Sequence, residues 1–241
     1  MKTCIFAIGL FLITAVSCSS DKVTLIETKS GAAGKKVALN VEKGAEWNHA
    51  MMGVINTTPQ IAVWIEDLDG NMVETLYVTG KYAKGIWFGA VTRVSSVPYW
   101  GFKMAGSGAK SPYAPTKYTP MPDTVTSASP EGSFVLKSVA TKPLESFAVL
   151  AEFNNSLDFN DTYKDGLPKD SPYYSGAGGD GGQPAAVYKA IVYPIDGTNW
   201  VPLVMVGHSS PSGADGGLYT NMEGVTTGVK MVKTVMFLLA E

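Results

Sequence analysis

Apolar and polar positions in this chain alternate over short runs, and Gly, Pro, Asp and Asn separate the runs. Residues 23–28 (V-T-L-I-E-T) and 37–42 (V-A-L-N-V-E) carry the two-residue period of half-buried strands, and Ser30 to Gly34 between them reads as a hairpin loop. Gln60 to Glu66 sets Ile61, Val63 and Ile65 against Ala62, Trp64 and Glu66. Met72 to Val78 is rich in β-formers, and the Asp67-Leu68-Asp69-Gly70-Asn71 turn joins the two runs as a hairpin. Further strand patterns lie at 134–139, 147–153, 186–193, 200–206 and 228–239. Many short strands and little helical periodicity predict an all-β, antiparallel β-sandwich of the immunoglobulin-like or a related kind. Residues 23–241 form one such domain in this reading.

Two stretches break the pattern. Ala83 to Phe102 has no clear period and reads as a short helix or an aromatic-lined connection. Residues 103–122, with Pro112, Pro115, Pro120 and Pro122, read as a long Gly/Pro-rich loop of the kind that carries function. Trp64 and Trp200 fall inside strand patterns and are expected in the core. Trp87, Trp100, Tyr113 and Tyr118 cluster near the long loop, where they would stack on a glycan or shield a flavin ring.

The start of the chain has a different character. Lys2, an apolar run from Ile5 to Val16, and Ala15-Val16-Ser17-Cys18 resemble a lipoprotein signal peptide over residues 1–17. The resemblance implies a lipid on Cys18, a tether over 18–22 and a location in the cell envelope, on the periplasmic or surface side, through a membrane lipid anchor. The chain has two cysteines, Cys4 and Cys18, so this processing leaves no thiol for a disulfide or a nucleophile. Loss of Lys2 moves the formal charge from −2 to −3, which gives no electrostatic footprint for nucleic acid.

Met121 to Glu131 reads M-P-D-T-V-T-S-A-S-P-E, and its prolines predict an ordered loop ahead of a strand. Asp123, Val125, Thr126, Ser127, Ala128 and Ser129 resemble the acceptor motif of extracytoplasmic flavinylated proteins. That likeness implies covalent FMN on Ser129, with Thr126 as the fallback acceptor and Asp123 and Ala128 as motif residues. It further implies a flavin transferase and a membrane redox partner. Ser127 and Ser129 stand where the commonest form has glycine and threonine. The alternative is ordinary turn chemistry, with Asp123 capping backbone amides. Asp123-Thr124-Val125 also resembles a bacterial O-glycosylation acceptor, which would place a sugar on Thr124.

Residues 62–67 (A-V-W-I-E-D) with Gly70, the stretch Gly182-Gln183-Pro184 with Val187-Tyr188, and Glu152, Asn154, Ser156, Asp158 and Asn160 resemble a family of predicted periplasmic proteins of unknown function. The likeness extends over about residues 60–240, and it implies companionship with flavin transferases and membrane electron carriers. The Asn154–Asp161 cluster reads as an Asx-rich loop, with a hard-cation site at Asp158, Asn160 and Asp161 as the alternative. No catalytic residue is assigned. His49 and His208 sit beside small or apolar residues, and the chain holds no G-x-S-x-G elbow. The expected function is a lipid-anchored FMN electron carrier; the alternative is a non-enzymatic binding or structural lipoprotein for a glycan or protein.

Overall fold

The computed structural model describes residues 22–51, 55–87, 93–143, 145–176, 180–193 and 199–240. The signal-peptide, tether and Cys18 readings lie outside these residues, apart from Lys22. Fourteen strands run β1 (Thr24–Glu27), β2 (Lys35–Lys43), β3 (His49–Met51), β4 (Ile55–Thr57), β5 (Gln60–Glu66), β6 (Met72–Thr79), β7 (Thr126–Ser127), β8 (Phe134–Ala140), β9 (Phe147–Asn154), β10 (Ala186–Val192), β11 (Val201–Pro202), β12 (Val204–Ser209), β13 (Leu218–Tyr219) and β14 (Val232–Leu239). Among the described residues two short helices, α1 (Gly80–Ala83) and α2 (Pro98–Ala105), interrupt them.

A five-stranded sheet in the order β1-β8-β2-β14-β11 faces a seven-stranded sheet in the order β13-β12-β10-β9-β5-β6-β7. The all-β sandwich expected from the alternation is therefore present. Val37, Leu39, Val41, Phe134, Leu136, Val235 and Phe237 meet Ile61, Val63, Ile65, Val149, Ala151 and Phe153 in one core.

The burial pattern explains two kinds of strand. β2 and β8 alternate buried with partly exposed residues, because one face of their sheet looks outward. Every residue of β5 and β9 is buried. Their second face carries Ala62, Trp64, Ala148 and Leu150 and is covered by Tyr82, Ala83, Val97, Trp100, Met121 and Val125. The two short helices and the segment around Met121 and Val125 thus form a third layer packed on the sandwich. Gly101 lets the Gly/Pro-rich connection approach α2: a Cβ there would stand 2.8 Å from Pro112 Cβ and 3.0 Å from the Tyr113 carbonyl.

Three expectations change. β1 and β2 do not form a hairpin, because β8 enters between them, parallel to β1 and antiparallel to β2. The 200–206 run is not one strand: β11 pairs with β14 and β12 with β10, so the chain changes sheets at Leu203. Trp200, just ahead of the two-residue edge strand β11, is 43% exposed and is not a core residue. The 67–71 hairpin stands as read. Asp67 accepts the Asn71 amide at 2.8 Å and the Asn71 side chain at 2.8 Å, which commits its oxygens to the turn.

Candidate functional site

The 121–131 segment is ordered and lies at the edge of the seven-stranded sheet. Asp123–Val125 forms a single 3-10 turn and β7 adds parallel to β6, with Val78 opposite Thr126 and Thr79 opposite Ser127. The ends of the segment are fixed by backbone bonds. Met121 donates to the Ala83 carbonyl and Lys29 to the Thr124 carbonyl, each at 2.8 Å. Two aromatic donors then bracket Ser129. The Tyr77 hydroxyl donates to the Ala128 carbonyl at 3.0 Å, and Trp47 Nε1 donates to the Pro130 carbonyl at 3.2 Å. Both rings are buried, Trp47 against Phe134 and Phe153 and Tyr77 against Phe134. Sequence reading missed this clamp, since nothing local ties residues 47 and 77 to 128–130.

A cleft of about 750 Å³ opens here, within the range of small-ligand sites. Asp123, Thr126, Ser127, Ala128 and Ser129 all line it, with Lys81 and Lys84 from α1 and its end, and Asn56 to Thr58 opposite. The Ser129 hydroxyl is buried and has no hydrogen-bond partner. The Thr126 hydroxyl makes one long bond, 3.4 Å, to the Asp123 carbonyl. Asp123 itself is exposed and pairs with Lys84 at 3.1 Å, a contact that solvent makes weak. Gly80 brings α1 close to β7: a Cβ there would lie 3.1 Å from the Ser127 carbonyl. Thr124 is exposed on the 3-10 turn.

Among the described residues no aromatic side chain lines this cleft. The expected aromatic face does not exist as a surface. Trp100 is fully buried, with Tyr82 and Tyr113 edge-on to it at 5.8 and 6.0 Å, because it belongs to the third layer's core. Trp87 packs on Tyr82 and beneath the Arg93 guanidinium. Tyr118 alone of the four is largely exposed.

The residues of the second resemblance are brought together elsewhere, where they hold loops to the sheet. Gln183 is the hub. Its side chain donates to the Asp158 carbonyl at 2.9 Å and accepts the Thr226 and Thr227 amides at 2.6 and 3.1 Å, while its own amide donates to Asp158 Oδ1 at 2.9 Å. Asn154 donates to the Gln183 carbonyl at 2.9 Å, and Thr227 donates its hydroxyl to Asp158. Gly182 has a φ of +119°, and a Cβ there would stand 2.6 Å from Asp158 Oδ1, so the approach requires glycine. Asn160 accepts the amides of Thr162 and Tyr163 and donates to the Gly224 carbonyl. The side-chain oxygens of Asp158, Asn160 and Gln183 are engaged by internal donors, whereas Asn155 Oδ1 is buried without a partner. Among the described residues no group of three or more acidic, His or Cys side chains is arranged to hold a metal ion.

Glu152 is fully buried on the outer face of β9, at the start of α2. It accepts the Trp100 amide at 2.8 Å and the Tyr99 amide at 3.2 Å, so a β-strand carboxylate caps a helix that has no cap of its own. Burial pushes its carboxyl up to about 8 against the pull of those amides; the Ser209 hydroxyl beside it also favours the charged form, although it has no partner at hydrogen-bonding geometry. Asp158 is likewise pushed up to about 7 by burial, opposed by Thr227 and the Gln183 amide. Both groups are closed to solvent, which suits a structural role better than acid–base work on a substrate.

Fold and site together define a three-layer β-sandwich protein with a polar cleft at one edge of its larger sheet. Compared with known proteins, the chain matches no family model, no curated protein and no solved structure. The resemblances therefore rest on their motifs alone.

Proposed function

We propose that this protein is an extracytoplasmic, lipid-anchored carrier that bears FMN covalently at the 121–131 cleft, with Ser129 as the acceptor. The observation that carries the reading is the coincidence of motif and cleft. Five residues of the acceptor-like motif line one cavity, and the hydroxyl at its acceptor position is buried without a hydrogen-bond partner. An unsatisfied buried hydroxyl costs about 1–3 kcal/mol, which a phosphoester at that oxygen would relieve.

The chain's part is attachment and orientation. In the transfer, Ser129 Oγ would form the bond to the FMN phosphorus of FAD while the pyrophosphate bond breaks, its proton leaves and AMP departs. Ser129 Oγ is turned inward, so a change of its χ1 rotamer or a local opening of 126–130 must precede that step. Lys81 and Lys84 supply positive charge at the cleft to meet a phosphate, and Asp123 and Glu131 keep its formal charge balanced. Bound FMN would supply the electron transfer.

The test is intact mass of the full chain coexpressed in a periplasm with a flavin transferase, beside Ser129→Ala and Thr126→Ala. The expected result is a gain equal to FMN minus water that disappears in Ser129→Ala only. Loss in Thr126→Ala alone moves the attachment point. No gain from a transferase shown to be active on another substrate overturns the reading.

A further inference from the structure

A second cleft, of about 430 Å³, lies at the opposite edge of the seven-stranded sheet, where β13 pairs with β12. Six strand spacings of about 4.8 Å separate the two edges, so it is independent of the flavin reading. Its character is different. Tyr163, Tyr173, Tyr174 and Tyr219 line it, together with His208, Asp215, Asn221 and Lys169.

Two of these rings are exposed at the cleft, and Tyr219 is held in place. Tyr219 is 41% exposed, yet one of its faces is covered by the His208 imidazole, parallel within 15° at a centroid distance of 5.4 Å. Its hydroxyl donates to Asp215, with both carboxylate oxygens at 3.0 Å. Asp215 is in turn held by the Gly217 amide at 2.8 Å and the Ser210 hydroxyl at 3.2 Å. His208 cannot swing away either, because its ring nitrogens lie 2.7 Å from the Ser209 carbonyl and 3.0 Å from the Asn221 carbonyl. Tyr173, also 41% exposed, stands edge-on to the buried Tyr163 at 5.7 Å.

We infer that this cleft is a binding site for an uncharged saccharide, with Tyr219 and Tyr173 as stacking platforms. A pyranose presents a flat C–H face and a rim of hydroxyls, and the cleft presents matching chemistry: exposed ring faces, with carboxylate, amide and hydroxyl groups around them. A ring held in place, as Tyr219 is, binds without first losing rotamer freedom. Lys169 stands against two carboxylates, Asp215 and Glu223, so an acidic polymer is disfavoured. Among the described residues neither Lys169 nor Glu223 has an ion-pair partner, which leaves both free to bond a ligand's hydroxyls.

The test passes the full chain over immobilised neutral oligosaccharides of the gluco, xylo, manno and galacto series, with polygalacturonate as the acidic control. The expected result is retention on at least one neutral series and none on polygalacturonate. Tyr219→Ala and Tyr173→Ala, assayed well below their melting temperatures, each weaken retention about tenfold or more, whereas Tyr219→Phe stays within about threefold because it keeps the ring face. A folded chain that retains no neutral series overturns the proposal. Equal retention of polygalacturonate overturns the ligand class, and retention untouched in both alanine variants overturns the site.

Discussion

The Tyr77 hydroxyl donates to the carbonyl of Ala128 at 3.0 Å, tying the residue before the candidate acceptor to a ring buried in the sandwich core. With Trp47 holding the Pro130 carbonyl, Ser129 is suspended between two clamped peptide units. Burial of the Tyr77 phenol raises its pKa, so it remains a neutral donor throughout the physiological range. Tyr77→Phe removes one clamp and leaves the ring packing. The expected cost is about 1 kcal/mol, read as a small fall in denaturant midpoint. Faster backbone hydrogen exchange confined to 126–130 is expected with it; unchanged exchange there would show that β7 pairing alone holds the segment.

Stability should fall as pH rises through the neutral range. Glu152 and Asp158 both have carboxyls raised by burial, to about 8 and about 7, above their unfolded values near 4. The folded state therefore holds protons that the unfolded chain has lost, and the stabilisation present below about pH 4 disappears as pH climbs through 7 to 8. Melting temperature measured from pH 5 to pH 9 should decline. In Glu152→Gln the decline should be shallower, whatever that variant's absolute stability. An identical slope in wild type and variant would mean that Glu152 keeps its charge on folding.

Gln183 satisfies Asp158, Thr226 and Thr227 at once, so its removal leaves several buried groups unpaired. Gln183→Ala is expected to destabilise by about 2–4 kcal/mol, and Gly182→Ala by a comparable amount through its contact with Asp158. Chemical denaturation gives both values. Gln183→Glu should also lose, because it places a carboxylate beside that of Asp158. A loss under about 0.5 kcal/mol in Gln183→Ala would show that water replaces the hub.

The charge at the acceptor cleft predicts salt-sensitive modification. Replacing Lys81 and Lys84 together by Glu should slow flavin transfer to the purified chain severalfold at low ionic strength. The difference should shrink as salt rises, since exposed charges are screened within about 10 Å at 0.1 M. Equal rates for both proteins at low salt would remove the lysines from phosphate recognition.

Local sequence marked the long strands, though not the short ones β3, β4, β7 and β13. Val37, Leu39 and Val41 face the core because a strand alternates sides, and Gly70 and Asp67 make a turn wherever they are placed. That 121–131 is ordered and forms no inner strand was legible, because proline at 120, 122 and 130 removes backbone donors an inner strand must use; its pairing beside β6 at the sheet edge was not. Partnering was not legible. The insertion of β8 between β1 and β2, and the sheet change at Leu203 that leaves Trp200 in solvent, depend on contacts far apart in the chain. The same holds for the third layer that buries Trp100, the clamp of Trp47 and Tyr77 around Ser129, and the support of Tyr219 by His208 and Asp215. A two-residue period records only which side of a strand is dry. Which surface dries it, and which hydroxyls are left unpaired when it does, is decided when distant segments close on one another.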